Sequence, residues 1–178
     1  HEHIHKAAAE GKGVLLLSAH LGNWELFAAA HALTAFELSV VVRPLDEPLL
    51  HRFAERLRRR SGVELIAKQR GLREVLEALR RGRLVGVLLD QNSSRAEGVF
   101  VPFFGVPAST SKGLAVISLR TGAPVVPVFI RRIGAGRHRV EFDAPVPRPD
   151  DGDVLSYTAA FNRAIESGIR RAPEQWFW

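Results

Sequence analysis

Apolar positions fall into short continuous runs separated by amphipathic stretches. Val14-Leu15-Leu16-Leu17-Ser18-Ala19 and Leu84 to Leu89 are runs of strand length, the pattern of strands covered on both faces. Between them the period becomes helical. Leu72, Val75, Leu76 and Leu79 share one face, with Arg73, Glu74, Glu77, Arg80 and Arg81 on the other, and Gly82 ends that helix. After the strand over 14–19, Asn23 is a good N-cap for a helix reaching about Ala35. Glu37 to Arg43 reads as a strand centred on Val40, Val41 and Val42, and Arg43-Pro44-Leu45-Asp46 as a turn. Pro48 opens a helix to Arg60 that Ser61-Gly62 stops, and Val63 to Lys68 is a short strand.

Beyond Asp90-Gln91, the polar loop Asn92 to Gly98 leads into an extended Val99 to Phe104. Gly105 and Pro107 turn the chain, and Ser109 or Thr110 caps a helix to about Arg120. Ala123 to Arg132 is a strand, Gly134-Ala135-Gly136 a hairpin signal, and His138 to Phe142 the antiparallel return. Asp153 caps a last helix over 154–171, stopped by Pro173. This alternation predicts a single α/β domain over residues 1–178, an αβα layered architecture with a mainly parallel, mixed central sheet.

Composition narrows the chemistry. The 178 residues contain no cysteine, which excludes disulfides, thiolate zinc sites and cysteine nucleophiles. No methionine is present, and the chain opens on His1-Glu2-His3-Ile4-His5, so the expectation is a piece of a longer protein. Arginine provides 21 of the 25 basic residues and the net charge is +6, which favours anionic partners. No apolar run approaches the ~18 residues of a membrane span, and no signal peptide is visible.

The candidate chemistry starts at His20-Leu21-Gly22-Asn23-Trp24-Glu25, on the turn from strand to helix. A spacing of five is poor on one helix but workable across such a turn, where two side chains can converge. Histidine has the pKa for proton transfer near neutrality, and a carboxylate on its far nitrogen would fix its tautomer. The bland alternative is a structural histidine beside a solvated glutamate favoured by the helix start. Asp90, a single acid after an apolar strand, sits where α/β sheets present ligand-binding groups; its bland alternative is a turn with Asn92 and Ser93. Arg58, among Arg52, Arg56, Arg59 and Arg60, reads without further information as part of a solvated basic face. Ser109-Thr110-Ser111-Lys112 matches S-x-x-K without its partner motifs, and Gly11-x-Gly13 precedes a strand and so is no phosphate loop. His1, His3 and His5 carry no specific metal signature.

The hexamer resembles the His-x4-Asp/Glu motif of glycerolipid acyltransferases, and more narrowly that of the late lipid A (lauroyl/myristoyl) acyltransferases. Further blocks resemble that family in order: Val42 to Pro48, Arg56 to Gly62, Leu88-Leu89-Asp90-Gln91, Gly98 to Gly105, Thr121 to Pro127, and Ala172-Pro173-Glu174-Gln175-Trp176. The resemblance implies a glycerolipid-acyltransferase-like fold, with His20 as general base and Glu25 as its orienting acid. It implies substrate-binding roles for Arg58 and Asp90, with Arg43 and Gln91 as weaker candidates beside them. Trp24 and Phe103 become candidates for an acyl-chain pocket, Phe103 and Phe104 pointing opposite ways if both are extended.

The reaction so implied moves an acyl group from a thioester to a hydroxyl of a lipid A precursor, with no cofactor, ATP or metal. The oxyanion would be met by backbone amides at Gly22-Asn23 or by Arg58. Acyl carrier protein is the expected donor, acyl-coenzyme A the alternative; the acceptor is a phosphorylated glycolipid at a membrane surface, on the cytoplasmic face of the bacterial inner membrane. A related branch would instead acylate a phosphatidylinositol mannoside or another lysolipid. The family also implies an N-terminal membrane anchor and more chain after the Glu-Gln-Trp block. The competing class is a basic nucleic-acid-binding module without catalysis, although no nucleic-acid motif appears and no nucleic-acid partner is expected.

Overall fold

A computed structural model describes residues 2–30, 36–43, 45–67 and 71–177. The chain runs α1 (Glu2–Ala9), β1 (Val14–Ser18), α2 (Trp24–Ala30), β2 (Leu38–Val42), α3 (Pro48–Arg60), β3 (Glu64–Ala67), α4 (Gly71–Arg80) and β4 (Leu84–Leu88). It continues through β5 (Gly98–Phe103), β6 (Val106–Ser111), α5 (Gly113–Thr121), β7 (Val125–Gly134), β8 (Arg137–Phe142), α6 (Val154–Arg170) and a 3-10 turn (Pro173–Gln175). The C-terminal ends expected for the helix after Asn23 and the strand after Val63 lie outside the described residues.

Six strands form one sheet in the order β3-β2-β4-β1-β7-β8. All neighbours are parallel except the β7–β8 hairpin. The apolar run 14–18 explains why β1 is central: every residue of it is buried. Its alternate side chains serve two cores. Leu15 and Leu17 pack with Val75 and Leu79 of α4, Leu114 of α5 and Phe161 and Ile165 of α6. Val14 and Leu16 pack with Ile4 and Ala7 of α1 and Ala28 of α2. The result is the expected αβα sandwich. α1 carries no turn or cap signal strong enough to stand out in sequence, yet Ile4 and Ala7 seat it against the sheet.

One segment departs from the sequence reading. Ser109 and Thr110 do not cap a helix; they lie in β6, which pairs with β5 from Gly98↔Ser111 to Phe103↔Val106. The two-residue connection Phe104-Gly105 has φ of 49° and 79°, positive at both positions as a tight hairpin turn requires. Asn162 of α6, itself buried, donates to Thr110 Oγ1 at 2.9 Å and to the Pro102 carbonyl at 3.0 Å, which fixes the hairpin to the main body. α5 then starts after Lys112 with no side-chain cap. Elsewhere the caps are as read: Asp153 accepts from the amides of Leu155 and Ser156, and Pro48 stands in the first turn of α3 behind Glu47.

Candidate active site

The sheet order creates the site. β1 and β4 are adjacent and parallel, with Ser18 opposite Leu88. His20 leaves the C-terminal end of one strand and Asp90 the end of the other. The chain departs from β1 into α2 on one face of the sheet and from β4 toward α5 on the other, and such a divergence leaves a crevice at the strand ends. The Asp90 carboxylate closes on His20 twice: Oδ1 lies 2.7 Å from Nδ1, and Oδ2 accepts the His20 backbone amide at 2.9 Å. Trp176 Nε1 donates to the same Oδ2 at 2.9 Å.

The Asp90 side chain is 1% exposed and that of His20 17%. Burial by itself would raise the Asp90 pKa. The donors on it, the His20 ring first, then the Trp176 indole and the His20 amide, outweigh that cost and hold it below the ordinary carboxylate range. An ionised carboxylate only accepts, so Nδ1 carries the ring proton and the lone pair of the neutral imidazole sits on Nε2.

Glu25 is placed otherwise than its motif spacing suggests. Its carboxylate is held by Arg58, with Nε donating to Oε2 at 2.9 Å and a second guanidinium nitrogen donating to Oε1. Among the described residues no hydrogen bond joins Glu25 to His20. The carboxylate on His20 is therefore that of Asp90. The reason is topological: Asp90 comes from the neighbouring strand at the level of His20, whereas Glu25 lies within α2 and turns toward α3. The pairing with Glu25 raises the pKa of the Arg58 guanidinium, which stays charged.

Gly22 makes the turn possible. Its φ is 61°, and a Cβ there would lie 2.2 Å from the Ile130 carbonyl oxygen. Its amide donates to the Gln175 carbonyl at 3.0 Å, so it is not free to serve as an oxyanion donor. The segment after α6 straps the loop down. Leu21 and Trp176 form an antiparallel bridge, and Phe177 N donates to the His20 carbonyl at 2.8 Å. Gln175 bonds the Arg132 backbone through both ends of its amide.

Aromatic rings surround the imidazole. Trp24 meets His20 edge-on at 4.9 Å and lies 6.5 Å from Phe177, nearly parallel to it. Phe103 and Phe104 both face Trp176, at 5.9 and 6.0 Å. The condition for opposite pointing, an extended pair, is not met, because Phe104 adopts the left-handed turn conformation. Arg43 is a surface residue 3.8 Å from Asp46, and Gln91 is exposed one residue beyond Asp90. A broad groove of about 590 Å³ between α6 and the stretch after β8 contains none of these groups.

Trp176 is the functional candidate that residue-by-residue reasoning passed over. It stood in the Glu-Gln-Trp block without a role, and only its place in that ordered block marked it.

Fold and site together define an α/β domain that presents a carboxylate-oriented histidine at the ends of two parallel strands. The family model for bacterial lipid A biosynthesis acyltransferases matches residues 1–178, and the chain belongs to that family. It is 31% identical to a lipid A biosynthesis acyltransferase of Haemophilus influenzae, over 99% of this chain and 55% of the relative. The lipid A biosynthesis lauroyltransferase of Escherichia coli is 30% identical over 99% of this chain and 58% of its own length. The phosphatidylinositol mannoside acyltransferase of Mycobacterium tuberculosis is 30% identical over 98% and 56%. The chain thus spans a little over half the length of these relatives.

Proposed function

We propose that this chain forms the catalytic part of an O-acyltransferase that moves a fatty acyl group from a thioester to a glycolipid hydroxyl. The carrying observation is the buried Asp90 carboxylate on His20 Nδ1, which leaves Nε2 as the base. As the acceptor hydroxyl attacks, its proton passes to Nε2 and the new C–O bond forms at the thioester carbonyl. The tetrahedral intermediate then expels the thiolate, the C–S bond breaks, and the imidazolium returns the proton to sulfur. A positioned base of this kind contributes ~10²–10⁴-fold. Asp90 takes the orienting role, and Glu25 positions Arg58. Arg58 spends Nε and one amino group on Glu25, which leaves the other for the oxyanion or an acceptor phosphate. No cofactor is required, since the thioester is already activated. Trp24 and Phe103 are the proposed acyl-chain contacts, with Arg43 and Gln91 at the outer edge of the substrate site.

Acyl carrier protein is the proposed donor, its acidic surface suiting the net charge of +6, with acyl-coenzyme A, also anionic, as the alternative. The acceptor is proposed to be a lipid A precursor, presented at the cytoplasmic face of the bacterial inner membrane. A second reading, acylation of a phosphatidylinositol mannoside, is favoured by the near-equal identity to the mycobacterial relative. No described helix is long and apolar enough to cross a membrane. The test is an acyl-transfer assay crossing the two donors with the two acceptors, with His20→Ala and Asp90→Asn as controls. Transfer by His20→Ala at near wild-type rate would overturn the mechanism; preference for coenzyme A or for the mannoside would overturn the donor or acceptor assignment alone.

A further inference from the structure

α3 is turned the wrong way for a helix of a soluble sandwich. It has no buried residue. Leu49, Leu50, Phe53 and Leu57 are 73%, 54%, 57% and 50% exposed. At 3.6 residues per turn these four fall within about 100° of one another, so they form one apolar stripe. Arg52, Arg56 and Arg59 occupy the adjoining arc, Arg60 ends the stripe at the last position of the helix, and all four are exposed. The half-buried face toward the protein carries His51, Ala54, Glu55 and Arg58 instead. The helix therefore shows the protein its polar side and offers outward a leucine-phenylalanine stripe edged by arginines.

We infer that this outer face of α3 docks on the surface of an anionic lipid bilayer. With the helix lying flat, the apolar stripe enters the headgroup–acyl boundary while the arginines reach lipid phosphates. Thirteen residues are too few to span the hydrocarbon core, so the helix lies on the membrane. Charge selects this occupant over a second copy of the chain: a self-complementary contact through this face would bring the arginine rows together. Among the described residues, Arg52, Arg56 and Arg60 pair with no carboxylate, which leaves them to lipid phosphates. The inner-face Arg58 holds Glu25, five residues from His20, so docking would set the catalytic turn close to the bilayer.

The choice of a lipid partner rests on the acyltransferase reading, but its test does not. Because the chain holds no cysteine, Leu57→Cys carries an environment-sensitive fluorophore at a single site. Emission should shift to the blue on adding phosphatidylcholine vesicles containing phosphatidylglycerol, and less so with phosphatidylcholine alone. The same label on Glu77→Cys, exposed on α4, should not shift. Arg52→Gln with Arg56→Gln should weaken partition to the anionic vesicles about fivefold per arginine, about 25-fold together. The Leu57 shift should persist on a His20→Ala background, where transfer is lost, which separates failure of docking from failure of catalysis. Three results would each overturn docking: no shift at Leu57, an equal shift at Glu77, or blue emission at Leu57 before vesicles are added, which would mean protein already covers the face.

Discussion

Replacing Asp90 by asparagine separates the two carboxylates near the catalytic turn. Three donors converge on Asp90: His20 Nδ1, the His20 amide and the Trp176 indole. A carboxylate has two acceptor oxygens for them, whereas an amide has one oxygen and a donor group of its own. In Asp90→Asn either a donor faces a donor in a site 1% exposed, or the imidazole changes tautomer and accepts from the asparagine. The first outcome costs about 1–3 kcal/mol of stability. The second puts the proton on Nε2 and removes the base, with a loss of ~10²–10⁴ in kcat. Glu25→Gln perturbs a pair in which the glutamate side chain is 47% exposed. It should slow transfer through Arg58 and leave the His20–Asp90 pair in place. The assay is initial-rate transfer at neutral pH, with melting curves to check folding. An Asp90→Asn enzyme within a few-fold of wild type, beside a Glu25→Gln enzyme slowed by ~10²-fold or more, would refute the reasoning and restore Glu25 as the orienting acid.

Trp176→Phe keeps a ring but removes one donor from Asp90, so the Asp90 pKa should rise toward its ordinary value and the loss of stability on the acid side should begin at higher pH in melting curves. Since the folded-state pKa of Asp90 lies below its ordinary value, its ionised form stabilises the fold above the ordinary carboxylate range and that contribution disappears as pH falls through the lowered value. Acid-side melting should therefore be shallower in Asp90→Asn than in wild type, and identical slopes would contradict the buried carboxylate. Gly22→Ala places a Cβ 2.2 Å from the Ile130 oxygen at a φ of 61°, so a loss above ~1 kcal/mol is expected in denaturant titration. Asn162→Ala leaves the Pro102 carbonyl and the Thr110 hydroxyl without their donor; a cost of about 1–3 kcal/mol should appear as a lowered urea midpoint.

Most of the sandwich was legible because its strands are local apolar runs and its helices end on Gly62, Gly82 and Gly122, each at positive φ. The β5–β6 hairpin was not, because Ser109-Thr110-Ser111 has the composition of a helix cap, and only pairing with β5 and the reach of Asn162 from α6 make it a strand. The site was half legible. His20 and Asp90 are 70 positions apart, and their contact depends on β4 lying beside β1, which hydrophobic periodicity does not specify. The nearer acid, Glu25, was therefore the natural partner to choose. The four residues that the resemblance gathered form two hydrogen-bonded pairs, His20–Asp90 and Glu25–Arg58.

That division gives the motif a physical sense. In the proposed mechanism the histidine base needs a partner shielded from water, because a buried carboxylate holds one tautomer with little competition from solvent; Asp90, at a strand end walled by Trp176, would provide it. A carboxylate on the first turn of α2 is too exposed for that task, but it is well placed to hold an arginine arriving from α3. His-x4-Glu thus joins two mechanical functions across one turn. The histidine reaches back into the sheet for its orientation, and the glutamate reaches outward to the helix whose far side carries Phe53 and Leu57. If α3 rests on a bilayer, the Glu25–Arg58 pair links that surface to the base, and breaking it should impair transfer to a membrane-embedded acceptor more than hydrolysis of a soluble thioester by water. Arg58→Gln measured on both reactions tests this directly: equal losses on the two would remove the link to the bilayer and leave Arg58 its part at the oxyanion.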